Sequence, residues 1–112
     1  MISQADRPTA VPAFNDALTA FIAATQERIA KRFAEHYPRL TVPTLTAERG
    51  LKNVRIVSSD GASRYVFCFV RIADGAVLKA AGWKAPAKHA RGSIYVNAGQ
   101  DAVSEYGANY LR

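Results

Sequence analysis

The first third of the chain has the hydrophobic spacing of a single amphipathic helix. From Phe14 to Tyr37, large apolar residues recur at steps of mostly three and four, which places them along one stripe of a helix. Pro12 suits a first helical turn because its missing N–H would be unpaired there anyway. Pro38 disfavours helical backbone at the residue before it. The pattern therefore predicts one helix of about seven turns from Pro12 to Tyr37.

After Pro38 the apolar period shortens to two, which is typical of β-strands. The pattern predicts strands near residues 41–48, 54–57, 64–72 and 76–81. Pro43 assigns the first of these strands to a sheet edge, because proline cannot donate to a strand ladder. Turn signals at Asp60-Gly61 and Asp74-Gly75 leave short connections, so we expect consecutive strands to form an antiparallel meander.

Strand 64–72 is apolar on both faces, which predicts a central strand covered on each side. Its two faces consist of Tyr65, Phe67 and Phe69 against Val66, Cys68, Val70 and Ile72. Together with Arg64 and Arg71, the aromatic residues would also suit a surface for single-stranded nucleic acid. These positions cannot all be exposed at once, so we assign Phe67 and Phe69 to the core.

The signals weaken after Gly82. We interpret residues 86–91 as one short helical turn and residues 94–96 as a short strand. Asp101 is a candidate N-cap and Gly107 a helix stop, which predicts a short terminal helix. The expected fold class is α+β: one long N-terminal helix packed on a three- or four-stranded antiparallel β-meander, with an irregular basic C-terminal third. We assign residues 1–11 to a flexible N-terminal tail and residues 12–112 to a single domain.

Composition adds an excess of positive charge. Fifteen lysines and arginines against nine acids give a net charge of +6 and a pI of about 9.8. The single cysteine, Cys68, excludes an intramolecular disulfide and a zinc site built on several thiolates. The sequence has no apolar run long enough for a membrane span and does not begin like a secretory signal. We therefore expect a soluble protein of a reducing compartment, with no membrane partner.

Residues 79–92 combine basic charge with the only tryptophan, and no acid occurs from Gly75 to Gln100. Lysine and arginine neutralise phosphates, and an exposed indole can stack on an unpaired base. The segment therefore predicts a nucleic-acid-binding site formed by Lys79, Trp83, Lys84, Lys88, His89 and Arg91. The alternative interpretation is that Trp83 packs into the end of the sheet and the lysines form a solvated rim.

Motifs of catalysis are missing from the sequence. It contains no glycine-rich phosphate loop, no HExxH and no GxSxG. His89 with Cys68 or Ser93 is the one imaginable pair of base and nucleophile, and two residues taken from a short chain make a weak case. We therefore expect binding rather than catalysis, with no catalytic residue, no metal and no cofactor.

The run GAVLKAAGWKAPAKHARGSI at residues 75–94 and the ending YGANYLR at 106–112 resemble a family of small uncharacterised proteins of tailed bacteriophages. In that family the run is close to G-D-V-L-K-A-A-x-W-K-A-P-A-K-H-A-R-G-N-I. This chain departs from it with Ala76 and Ser93. The resemblance implies a phage origin and a location in the host bacterial cytoplasm or the virion. It implies no particular activity.

Two hypotheses of function follow. The first is a small, non-enzymatic, phage-encoded protein that binds nucleic acid, with DNA or RNA and single or double strands left open. The second is a virion component or an inhibitor that binds a host protein, since a basic domain is steered towards acidic targets. A looser likeness is to double-stranded RNA-binding domains, where lysines at a helix start grip phosphates. Lys84 and Lys88 would take that place, although Pro86 between them argues against membership.

Overall fold

The long helix and the strands occur in the order that the sequence predicts. The structure is a computed structural model and describes residues 10–110. This part of the chain contains one α-helix, α1 (Ala10–His36). The main sheet consists of β1 (Thr44–Arg49), β2 (Asn53–Ser59), β3 (Arg64–Arg71), β4 (Ala76–Ala80) and β5 (Pro86–Ser93). A 3₁₀ helix (Asn97–Ala102) then leads to a small hairpin of β6 (Val103–Ser104) and β7 (Gly107–Ala108).

The predicted α+β fold class is confirmed. The five strands of the main sheet are antiparallel and lie in the order β1-β2-β3-β4-β5. β1 is therefore at an edge and β3 in the centre, as predicted. The helix begins two residues before Pro12 and ends next to Tyr37. Residues 1–9 of the predicted tail lie outside the described residues.

The C-terminal third is more regular than the sequence indicates, and it raises the strand number to five. Residues 86–91, predicted as a helical turn, belong to β5, which pairs with β4. Proline is tolerated at the first residue of an edge strand, and the small polar residues of β5 give no apolar alternation.

Two other predictions for this third are wrong. The predicted strand 94–96 is a turn, closed by an N–H of Val96 that donates to the Ser93 carbonyl at 3.1 Å. The predicted terminal helix is the β6–β7 hairpin, and Asp101 lies near the end of the 3₁₀ helix instead of capping a helix.

The apolar stripe of α1 packs on one face of the main sheet, here named the inner face. The 3₁₀ helix and the β6–β7 hairpin contribute to the same core. Its buried members are Phe14, Leu18, Phe21, Ile29, Leu45, Val54, Ile56, Phe67, Cys68, Val70, Val77, Ile94, Ala102, Val103 and Ala108. No helix in the described part of the chain is long and apolar enough to cross a membrane.

A β-bulge in β3 alters the predicted assignment of its faces. Ile56 pairs with Cys68, but the next residue, Val57, pairs with Val66. Phe67 is the extra residue, and a bulge turns it towards the same side as its neighbour. Phe67 and Cys68 are therefore both in the inner core, whereas Phe69 faces the other side of the sheet.

Polar side chains fix α1 to the elements around it. The Gln26 amide donates to the Pro43 carbonyl and accepts the Leu45 N–H, both at 2.8 Å. It thereby takes the place of a strand partner at the free edge of β1. Arg28 donates to the Gln100 carbonyl at 3.0 Å and forms an ion pair with Glu105 at 3.1 Å. These contacts tie the C-terminal residues to the helix.

A substitution at Gly99 tests the packing between the 3₁₀ helix and α1. Gly99 has φ +75°, and a Cβ there would overlap the buried Phe21 ring. We expect Gly99→Ala to cost roughly 1–2 kcal/mol of backbone strain plus roughly 1–3 kcal/mol of overpacking. Gly61→Ala is the matched control, because Gly61 has φ +93° but open space around it. Equal losses of thermal stability in the two variants would contradict this packing.

Cys68 tests the burial of β3. Its side chain is 0% exposed, and burial raises the pKa of its thiol. Because the thiolate is the reactive form, we expect a thiol-specific reagent to leave the native protein unlabelled and to label it stoichiometrically in denaturant. Native labelling at the rate of an exposed thiol would contradict the assignment.

Candidate nucleic-acid interface

The loop between β4 and β5, residues 81–85, folds back over the outer face of the sheet, the face opposite α1. The N–H groups of Ala81 and Gly82 donate to the Ala85 carbonyl at 3.0 and 3.2 Å and close the loop. The Arg55 guanidinium in β2 donates to the Trp83 carbonyl at 3.0 Å. Since neighbouring strands lie about 4.8 Å apart, the loop reaches across β3 to a strand two positions away.

Trp83 lies against two arginines that share one carboxylate. The guanidinium carbons of Arg55 and Arg64 are 4.7 and 5.2 Å from the centroid of its ring, within the range of cation–π attraction. Glu48 binds Arg55 with one oxygen and Arg64 with the other, each at 2.8 Å. Trp83 is 40% exposed, so its indole covers the sheet and still has a surface open to solvent.

Glu48 neutralises only part of this cluster. The hydrogen bond from Arg55, with a smaller contribution from Arg64, holds the pKa of the Glu48 carboxyl below its ordinary value. Glu48 is therefore ionised at neutral pH and offsets one of the two guanidinium charges. The cluster of Glu48, Arg55, Arg64 and Trp83 keeps a net positive charge, which suits a negatively charged ligand.

The same loop covers an apolar patch on the outer face. Val57, Phe69 and Leu78 lie on that side of the sheet and are 0%, 4% and 2% exposed. Phe69 pairs with Arg55 on one side and with Leu78 on the other. The β4–β5 loop lies over this side, since Trp83 contacts Arg55 and Arg64 and Lys84 lines one pocket with Phe69. Trp83 therefore stabilises the fold in addition to being a candidate ligand contact.

A basic pocket of about 240 Å³ opens beside Trp83, between the β4–β5 loop and the β1–β2 turn. It is lined by Glu48, Arg49, Gly50, Leu51, Lys52, Asn53, Arg55, Phe69 and Lys84. Arg49 is engaged elsewhere, since it donates to the Asn15 side chain at 3.3 Å and its guanidinium carbon is 5.6 Å from the centroid of the Phe14 ring. Arg55 is engaged as well, by Glu48 and by the Trp83 carbonyl, so the exposed cations that line this pocket are Lys52 and Lys84.

The structure does not bring the six predicted site residues together. Trp83 and Lys84 lie at the basic pocket, whereas Lys88 and His89 are exposed on the edge strand β5. The other two are bound to residues that follow the β6–β7 hairpin. The Lys79 ammonium is 3.9 Å from the centroid of the Tyr110 ring, and Arg91 donates to the Asn109 carbonyl at 2.8 Å. The Arg91 guanidinium also donates to the His89 carbonyl.

Lys52, Glu48, Arg55 and Arg64 are absent from the predicted site. The signal for the two arginines was their alternation with apolar residues in predicted strands. That pattern places them on a sheet face but does not show which loop meets them there. The analogy with double-stranded RNA-binding domains fails here, because Lys84 and Lys88 do not begin a helix. Lys84 lies in a loop and Lys88 in a strand.

His89 and Cys68 do not form the pair of base and nucleophile that was considered from the sequence. His89 is exposed on β5, whereas Cys68 is fully buried in β3 with a raised thiol pKa. Within residues 10–110, no three His, Cys, Asp or Glu side chains are grouped so that they could hold a metal ion. What these residues offer chemically is attraction of anions beside an aromatic surface.

Comparison with known proteins gives a family. Neither a curated protein nor a solved structure matches the chain. A family model described as "Family of unknown function (DUF7717)" matches residues 4–110. This match spans nearly the whole sequence, and the chain therefore belongs to the DUF7717 family.

Proposed function

We propose that this protein binds nucleic acid, without catalysing a reaction, at the basic pocket on the outer face of its sheet. The observation that carries the proposal is the meeting of Lys52, Arg55 and Lys84 around one concavity, next to the partly exposed Trp83. Lysine and arginine contacts to phosphates supply a large share of the affinity of nucleic-acid-binding proteins.

The distribution of charge supports a polyanionic ligand at this place. Glu48 is the acid that lines the pocket, and it is already shared by two arginines. Other cations of the described chain are bound to acids away from the pocket, as in the pairs Arg28–Glu105 and Arg71–Asp74. Lys52 and Lys84 are exposed beside the pocket and add to its positive charge.

The resemblance to tailed-phage proteins supports a role during infection, in the host bacterial cytoplasm or in the virion. The phage genome occurs in both places, and its transcripts occur in the infected cell. Nucleic acid is therefore an available partner under either location.

A different observation favours the second candidate function, a virion component or an inhibitor that binds a host protein. In the connection between α1 and β1, Leu40 is 59% and Val42 38% exposed. Leu40 also lines a hollow of about 390 Å³ with Phe33 and Pro43. Exposed apolar groups around a hollow are typical of protein interfaces. Retention of a host protein from nuclease-treated bacterial lysate, and its loss in Leu40→Asp, would support this function.

Replacement of Lys84 tests the nucleic-acid site. We expect Lys84→Ala to weaken binding of short DNA and RNA about tenfold, or ~1.4 kcal/mol, and to lower the slope of log affinity against log salt by roughly one. Trp83, the only tryptophan of the chain, reports binding by its fluorescence.

Lys31→Ala is the matched control for this experiment. It removes the same charge from an exposed position on α1, on the other side of the sheet. Equal affinities for Lys84→Ala and the unaltered protein, or equal losses for the two variants, would contradict the site. Absence of any binding at low salt would contradict the proposed function itself.

A further inference from the structure

We propose that the ligand is an unpaired strand, with a phosphate in the basic pocket and the adjoining base in a second, apolar hollow at the end of the sheet. This inference rests on the proposed function and names its substrate class. The apolar hollow has a volume of about 390 Å³ and is lined by Leu51, Lys52, Arg71, Ile72 and Ala73. The site predicted from the sequence does not include this hollow.

The two concavities lie next to the same turn, since Leu51 and Lys52 of the β1–β2 turn line both of them. The turn is fixed by its backbone: the Gly50 N–H donates to the Asn53 carbonyl, and the Ile72 N–H donates to the Lys52 carbonyl, both at 2.9 Å. The second of these bonds holds the turn against the end of β3. A ligand would therefore meet a preformed path from Lys84, past Lys52, to Ile72.

The charges along this path differ from one end to the other. Lys52, Arg55 and Lys84 surround the first concavity. At the far end, Arg71 is bound by both oxygens of Asp74, at 3.0 and 2.9 Å, so its charge is offset, and the exposed Lys52 lies between the two concavities. The phosphate of a nucleotide is favoured at the first concavity, and its less polar base at the second.

The apolar hollow distinguishes an unpaired strand from a duplex. Leu51 is fully exposed, and burying such a side chain against a ligand is favourable by roughly 1.5–3 kcal/mol at most. In a duplex the flat faces of the bases are stacked on one another. An unpaired base can turn its face towards apolar side chains. A duplex can place phosphates at Lys52 and Lys84, but it leaves the Leu51–Ile72 surface uncovered.

The test compares a fluorescent oligothymidine, a single-stranded RNA of mixed sequence and a DNA duplex of the same length. We expect the single strands to bind at least tenfold more tightly than the duplex. We expect Leu51→Ala to weaken single-strand binding three- to tenfold and to leave duplex binding unchanged. Leu51 is wholly exposed, so this variant should keep its fold, which circular dichroism verifies.

Leu40→Ala is the matched control, since Leu40 is another exposed leucine, in the connection between α1 and β1. Equal affinity for duplex and single strand, or equal effects of Leu51→Ala and Leu40→Ala, would overturn the inference. Single-strand binding that Lys84→Ala weakens and Leu51→Ala does not would overturn it while leaving the proposed function standing. Failure of all three nucleic acids to bind at low salt would overturn both.

Discussion

The central strand β3 requires cover on both of its faces, and the rest of the structure depends on how each face is covered. On the inner face α1, the 3₁₀ helix and the β6–β7 hairpin bury the core. On the outer face Val57, Phe69 and Leu78 are buried as well, although the helix is on the other side. Apolar burial is favourable by roughly 25 cal/mol per Å². The β4–β5 loop therefore gains stability by folding back over the sheet, and Trp83 is its largest side chain.

The β4–β5 loop that covers the outer face also forms part of the basic pocket, so the stability of the fold and the shape of the pocket depend on the same contacts. Because Arg55 donates to the Trp83 carbonyl and stacks on its ring with Arg64, the loop is held over β2. The next residue, Lys84, is thereby carried to the β1–β2 turn and lines a pocket with Lys52. Removal of Trp83 would disturb the outer face and the pocket together. Exposed lysines are more informative positions, since their replacement changes the charge of the pocket without uncovering Phe69.

The sequence allowed prediction of those features that depend on neighbouring residues. The spacing from Phe14 to Tyr37 located α1, and apolar alternation with Asp-Gly turns located β2, β3 and β4. β5 was missed because its small and polar residues show no alternation. The bulge at Phe67 was missed because an extra residue in one strand appears only against its partner. Of the residues at the proposed site, Trp83 and Lys84 were predicted from composition. Arg55 and Lys52 could not be assigned to this site from the sequence, because the contact between residues 55 and 83 depends on a loop that crosses the sheet.

The two kinds of cation have different roles in this molecule. The arginines at positions 28, 55, 64, 71 and 91 all donate hydrogen bonds to carboxylates or carbonyls. The planar guanidinium, with five donors in a fixed arrangement, suits such fixed contacts. Lys52, Lys84 and Lys88 are exposed, and a lysine ammonium is a mobile, hydrated point charge. The arginines thus fix elements of the fold to one another, with Arg55 and Arg64 on the outer face, and the lysines supply charge that can follow a phosphate. A site of this kind owes its affinity to counterion release more than to fixed geometry, which is why the proposed binding should depend strongly on salt.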